Sequence, residues 1–231
     1  MQIEQVVILA GGLGTRLGKL TESTPKALVK INNKPFIEWQ INYFLNQGKN
    51  KFLLCLGHFN DQIIKFVKNR FPNNDITFSL DGNKMLGTGG ALVHAFDKLS
   101  DNFLVVYGDS YLQVELKDFE SRHDPKSKIT MAIFKNNNLY DKSNIQIFDN
   151  KLRYYENTTV GCDYIDYGVS IISKKMIANY RSSDFINLSE IYDNESKKNN
   201  INYYIVKNRF YEIGSQRGIL ELDKFLKTMN S

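Results

Sequence analysis

Short, mostly apolar runs recur along the first half of the chain: QVVILA at 5–10, KFLLCLG at 51–57, ITFSL at 76–80 and NFLVVYGD at 102–109. Runs this short, bounded by glycine, asparagine or aspartate, predict buried strands. Stretches with helical spacing lie between them. PFIEWQINYFLNQ at 35–47 gathers Phe36, Trp39, Tyr43 and Phe44 on one face, with Pro35 suited to the first turn and Gly48 as a stop. NDQIIKFVKNRF at 60–71 predicts a second helix with Asn60 as its N-cap. A glycine-rich turn, LGTGG at 86–90, opens a third helix, ALVHAFDKL. Strands and helices in alternation imply a parallel sheet covered on both faces.

The rhythm changes after about residue 125. Strands are predicted at 128–135, 143–148, 151–155 and 164–172, with FDNKL as a hairpin turn. A polar helical region near 173–199, a strand at 202–206 and a helix at 215–228 capped by Ser215 follow. No Pro/Gly/Ser-rich linker separates the two halves, 1–125 and 126–231. The expectation is a single α/β domain, 1–231, with one Rossmann-like, mixed but mostly parallel central sheet.

Composition narrows the classes. A chain of 231 residues is long enough to bury a substantial core. Its 42% hydrophobic and 24% charged content is ordinary for a globular protein. No apolar run approaches the roughly 20 residues of a membrane-spanning helix. The N-terminus lacks a basic stretch and carries Glu4, so no secretory signal is expected. Cys55 and Cys162 suggest no disulfide framework, and a cytoplasmic location is the expectation. The net charge is +5, but the lysines are scattered among asparagines with no basic run interleaved with aromatics. Neither nucleic acid nor a membrane is expected as a partner.

The segment LAGGLGTRLGKLTESTPKAL, residues 9–28, carries the strongest chemistry. A dinucleotide fingerprint would need glycine at position 17, where Leu17 stands. A phosphate-binding P-loop ending at Gly18-Lys19 would need glycine at 13 and Ser or Thr at 20; both positions are leucine. What remains is G-G-x-G-T-R-L followed by Pro25-Lys26. Backbone N–H groups at such a turn attract anions, and Arg16 and Lys26 add two cationic points around one polyphosphate.

LAGGLGTRL…TPKAL, LGTGGAL and YGDSY, with IDYGVSII and FYEIGS further on, resemble the sugar-1-phosphate nucleotidyltransferases, or nucleotide-sugar pyrophosphorylases. The likeness spans essentially the whole chain. YDKSNIQIFDNKLRYY resembles most the guanylyltransferases that act on D-glycero-α-D-manno-heptose 1-phosphate. The resemblance implies the fold of nucleotide-diphospho-sugar transferases, with a nucleotide-binding half at 1–125 and a sugar-binding half at 126–231. It implies a Mg2+-dependent reaction of a nucleoside triphosphate, GTP first, with a sugar 1-phosphate. The product would be a sugar nucleotide for surface glycans, and a homodimer is a further expectation. The rivals are a cytidylyl-, uridylyl- or thymidylyltransferase on another phosphorylated acceptor, or a catalytically silent sugar-nucleotide sensor. A sensor would be expected to have lost Arg16, Lys26 or Asp109, and all three are present.

By the same resemblance, Arg16 and Lys26 hold the phosphates, and Leu9, Ala10, Gly11, Gly12, Gly14 and Thr15 approach the nucleotide along the first loop. Gly87, Thr88 and Gly89 lie against the base and Gly108 beside it. Asp81 reads the base, since a carboxylate can accept both N–H groups of a guanine edge. Asp109, at the tip of an apolar strand, binds Mg2+. Glu212 stands where the family's second metal-binding aspartate is usual, one methylene longer. Asn144, Glu156, Asp166 and Gly168 occupy the sugar-recognition positions. Asn157 replaces the lysine that usually follows this acidic residue, so either another basic residue, Lys142 or Arg153, supplies that charge or the acceptor differs from the usual one.

Overall fold

The computed structural model describes residues 3–12, 14–82, 84–157 and 161–229. Strand β1 (Gln5–Leu9) runs through the glycine loop into two 3-10 turns, Thr15–Thr21 and Lys26–Leu28. A tight hairpin, β2 (Lys30–Ile31) and β3 (Lys34–Pro35), leads into α1 (Phe36–Leu45). Then come β4 (Lys51–Leu56), α2 (Asn60–Arg70), β5 (Asp75–Leu80), α3 (Gly87–His94) and β6 (Asn102–Tyr107). The second half holds β7 (Ser110–Tyr111), α4 (Leu116–Ser121), β8 (Ile129–Lys135), β9 (Ile145–Phe148), β10 (Lys151–Tyr154) and β11 (Tyr164–Ser173). It ends with α5 (Lys174–Ile177), α6 (Leu188–Lys197), β12 (Ile201–Val206), β13 (Tyr211–Glu212) and α7 (Gln216–Met229).

One nine-stranded sheet runs through both halves in the order β10-β9-β11-β6-β1-β4-β5, with β8 and β12 branching from β11. The β6-β1-β4-β5 portion is parallel, as the strand-helix alternation predicts. Around β11 the sheet turns antiparallel, β11 pairing that way with β6, β8 and β9, while β12 adds to β8 in parallel. The FDNKL turn is confirmed: Asp149 and Asn150, at φ 47° and 57°, close the β9-β10 hairpin in the left-handed conformation such turns demand.

Alternate residues of β1 feed opposite faces of the sheet. Val6 and Ile8 join the α1 and α2 side with Ile37, Ile41, Phe44 and Ile63. Val7 and Leu9 join the α3 and α6 side with Leu92, Ile191 and Tyr192. A third cluster matters more for function. Leu222 and Leu226 of α7 pack with Leu17, Val29, Ile31 and Ile213, so the last helix clamps the glycine loop.

One expectation needs correction. Asn60 is not the N-cap of α2. Phe59, at φ 59°, takes that position, and Asn60 Nδ2 instead donates to the Gly57 carbonyl at 2.9 Å. The polar helical region near 173–199 is made of α5, a 3-10 turn at Ala178–Tyr180 and α6. Ser215 does cap α7, its Oγ accepting the Gly218 N–H at 2.9 Å.

Candidate active site

The carboxyl ends of β1, β4, β5 and β6 open into a cavity of about 580 Å³. In an open parallel sheet this is where the backbone leaves room for a ligand, between strands whose connections diverge. Leu9, Ala10, Gly11 and Gly12 line it together with Asp81, Lys84, Met85, Leu86, Gly87 and Thr88, and Asp81 Oδ2 lies 2.9 Å from where a Cβ on Gly11 would stand. Tyr107, Gly108 and Asp109 form the floor, with Lys26 beside them. Gly108 is required there: its N–H donates to the Leu9 carbonyl at 2.9 Å, and a Cβ would stand 2.5 Å from that same oxygen.

Lys26 and Asp109 meet in an ion pair of 2.7 Å, partly screened from solvent. The 3-10 turn Lys26–Leu28 follows Pro25, whose fixed φ directs the lysine inward. Arg16 is exposed. Its guanidinium and the Lys26 ammonium flank Gly214, lying 2.9 and 3.2 Å from where a Cβ on that residue would stand. Gly14 and Thr15 turn the chain toward Arg16, Gly14 at φ 67°. The two cations predicted from sequence therefore converge on one edge of the cavity.

Glu212 reaches the same edge by strand pairing. β13 lies antiparallel to β7, with Glu212 opposite Ser110, and the Ile213 N–H donates to the Asp109 carbonyl at 2.9 Å. Its carboxylate accepts from the Ser215 hydroxyl at 2.5 Å and from the Gly214 N–H, which ties it to the start of α7. Among the described residues, no three His, Cys, Asp or Glu side chains gather as a cation site. Asp109 and Glu212 beside the cationic Lys26 and Arg16 are nonetheless the kind of donors that hold Mg2+, through one or two carboxylates with water and phosphate oxygens completing the shell.

Asp81 also lines the cavity. Its Oδ1 is buried without a hydrogen-bond partner, and burial pushes its pKa up, His94 opposing. A buried unpartnered acceptor is costly, and this one borders the cavity, where a ligand can satisfy it. Cys55 also borders the cavity, but burial and the Asp81 charge push its thiol up to about 12, which removes it as a nucleophile.

The residues expected at the sugar do not all come together. Asp166 accepts from the Gly168 N–H at 2.9 Å and from the Tyr107 hydroxyl at 3.2 Å. Asn144 Oδ1 accepts the Asp166 N–H at 3.1 Å. These three form one connected group behind Tyr107, which also lines the cavity. A bulge between Asp166 and Ser170, with Gly168 at φ 95°, turns β11 there. Glu156 stands apart and exposed, with Ser189 at 3.5 Å. Lys142 and Arg153 do not line the cavity, whereas Lys84 does.

Sequence reasoning left out Tyr107, Lys84, Met85, Phe185 and Asn187 as cavity residues. Tyr107 ends the strand that carries Asp109, which was a usable signal. Phe185 and Asn187 come from the second half of the chain and had none. Gly89 was expected at the base, but it is buried against Ile186 and Ile191.

The sequence profile of the nucleotidyl transferase family matches residues 5–142. The D-glycero-alpha-D-manno-heptose 1-phosphate guanylyltransferase of Campylobacter jejuni is 26% identical over 212 residues, 91% of this chain and 94% of that protein. The enzyme of the same name from Aneurinibacillus thermoaerophilus is 34% identical over 131 residues, 56% of each chain. The crystal structure of HddC from Yersinia pseudotuberculosis, complexed with GMP-PN, superposes with a TM-score of 0.82 at 29% identity. That match covers 97% of this chain and all of the other. No helix among the described residues is long and apolar enough to cross a membrane.

Proposed function

This chain belongs to the nucleotidyl transferase family, and from that premise we propose that it joins GTP to a manno-heptose 1-phosphate, releasing pyrophosphate. The observation that carries the reading is the cavity itself. Its lining holds Lys26, with Arg16 beside it at Gly214, and Asp81, whose Oδ1 is buried and unpartnered. As a sugar-1-phosphate nucleotidyltransferase, the protein must bring two phosphate-bearing substrates together and stabilise charge at the α-phosphorus. Lys26 would neutralise the α-phosphate and the incoming sugar phosphate, and Arg16 the departing pyrophosphate. The glycine loop would offer backbone N–H groups at close range. Asp109, with Glu212 released from α7, would hold Mg2+, which supplies further charge neutralisation on the phosphates.

Asp81 favours guanine because one carboxylate can accept both N1–H and N2–H, and the relatives named for guanylyl transfer support the same base. Asp166 and Asn144, reached through Tyr107, are the groups best placed to recognise sugar hydroxyls. The sugar nucleotide would be made in the cytoplasm and consumed in surface glycan synthesis.

The test is pyrophosphate release with Mg2+ over a grid of GTP, CTP, UTP, dTTP and ATP against sugar 1-phosphates, manno-heptose 1-phosphate among them. One active pair, GTP with the heptose, lost in Arg16→Ala and Asp109→Ala, is expected. Activity with CTP or UTP instead would overturn the role given to Asp81. A blank grid without nucleotide binding would overturn the function.

A further inference from the structure

Helix α1 contributes no residue to the cavity, yet it grips the segment that carries Asp109. Gln40 is 2% exposed. Its Nε2 donates to the Tyr107 carbonyl and to the Ser110 carbonyl, both at 2.9 Å. These two carbonyls flank the Gly108-Asp109 turn on either side. The Asp109 carbonyl between them accepts from Ile213. The amide can face only one way, because the opposite orientation would set its oxygen against two carbonyl oxygens. Its own Oε1 is buried without a partner. A buried polar group left half-satisfied is destabilising in itself. Leucine or methionine at this position would remove the unpartnered Oε1 but would also take the Gln40 donor from the Tyr107 and Ser110 carbonyls.

The grip continues along one face of the helix. The Tyr43 hydroxyl accepts the Val114 N–H at 2.8 Å and donates to the Val114 carbonyl. Just past the helix end, Gln47 Oε1 accepts the Leu116 N–H at 2.8 Å. Spacing of three and four residues puts these side chains on one stripe. Only Gln40 acts on the turn that holds Asp109.

We infer that Gln40 is a positioning residue that fixes the Asp109 turn for nucleotidyl transfer. The inference rests on the role proposed above for Asp109. A carboxylate that must meet phosphate and metal with sub-ångström accuracy needs its backbone held from outside the cavity. Gln40 does this with two hydrogen bonds to main chain, leaving the Asp109 side chain to Lys26 and the ligands.

The experiment compares Gln40→Met with Tyr43→Phe, which removes a buried hydrogen-bonding group from the same stripe at Val114. Each is followed by thermal melting, by hydrogen exchange of the 107–112 amides and by steady-state pyrophosphate release. Gln40→Met should speed exchange at 107–112 and lower kcat on the order of 10- to 100-fold, as small misplacements of reacting groups do. The nucleotide KM should stay within about threefold, since ground-state binding is kept. Tyr43→Phe should keep kcat within about threefold at a similar loss of melting temperature, as expected away from the reacting groups. Equal loss of kcat in both variants, or an unchanged kcat in Gln40→Met, would overturn the inference. If Gln40→Met does not fold, Gln40→Glu, of the same size, is read on the same terms. If wild type releases no pyrophosphate from any pair, the functional reading fails separately. Unchanged exchange at 107–112 in the Gln40 variant would then overturn the positioning role by itself.

Discussion

Two glycine-rich loops of similar appearance, AGGLG at 10–14 and LGTGG at 86–90, both border the cavity, and Gly12 of the first differs from Gly87 and Gly89 of the second. A Cβ on Gly12 would meet nothing within 4 Å. The missing side chain keeps volume open on the ligand side. A Cβ on Gly87 would stand 2.5 Å from the Ile186 carbonyl, and one on Gly89 2.8 Å from Ile191 Cδ1. Here the missing side chains admit another stretch of the same chain. The Gly90 N–H donates to the Ile186 carbonyl at 2.9 Å, the Ile186 N–H to the Leu86 carbonyl at 3.1 Å, and the Leu188 N–H to Thr88 Oγ1 at 2.8 Å. In the first loop Gly12 leaves open space while Gly11 and Gly14 pack against Gly57 and Asp81 and against Thr21 and Lys26; the second loop is stitched to the segment entering α6. A glycine count cannot tell these apart, because what decides is the partner on the far side of the missing Cβ.

The sharpest test of the first loop is Lys26→Ala, since the lysine stem packs against Gly14. The expected loss is on the order of 100- to 1,000-fold in kcat/KM with little change in melting temperature, as for other groups that neutralise transition-state charge. A large drop in stability with modest loss of activity would make this loop a packing element too. Gly87→Ala should do the reverse. Its φ of 74° and the nearby Ile186 carbonyl both penalise a side chain, so urea unfolding should show a loss of about 2–4 kcal/mol. The nucleotide KM of the folded fraction should hold. If instead KM rises at unchanged stability, the contrast between the loops collapses. Gly12→Val is the smaller counterpart: unaltered unfolding, with a nucleotide KM raised on the order of tenfold, equivalent to about 1.4 kcal/mol.

What was legible in the sequence follows the same division. Buried parallel strands announce themselves as apolar runs, so β1, β4 and β6 were readable, and the mostly exposed edge strand β5 by its short run of alternating apolar residues; the residues at their carboxyl ends came with them. Lys26 and Asp109 were found because strand ends and a proline-fixed turn are local features. Gln40 was not, because a glutamine inside an amphipathic helix reads as an exposed residue until its neighbours Ile37, Ile41 and Phe44 are seen to be buried. Gly89 was misjudged for the lack of any local sign of Ile186 and Ile191 behind it. The capping role of Glu212 was equally hidden. Its bonds to the Gly214 N–H and the Ser215 hydroxyl are an arrangement that only the packing of α7 reveals.

A third glycine extends the comparison to the sugar side. Gly168, in the bulge of β11, lies against Ser110, where a Cβ would stand 3.0 Å from its hydroxyl, and it directs its own N–H at Asp166. Desolvation pushes the Asp166 carboxyl up to about 6, with the Gly168 N–H and the Tyr107 hydroxyl pulling the other way. The folded state therefore keeps a proton that the unfolded chain releases between about pH 4 and 6, and stability falls as pH rises through that window. Above it, the ionised carboxylate is a standing cost on the order of a few kcal/mol. A residue retained at such a cost is better explained by a ligand than by packing. Asp166→Asn should accordingly melt above wild type at pH 7.5, lose that advantage near pH 4, and turn over more slowly with the sugar phosphate. An asparagine variant no more stable than wild type at pH 7.5 would mean that Tyr107 and Gly168 already compensate the charge. Gly168 would then belong with Gly87 and Gly89, as a glycine that makes room for the chain itself.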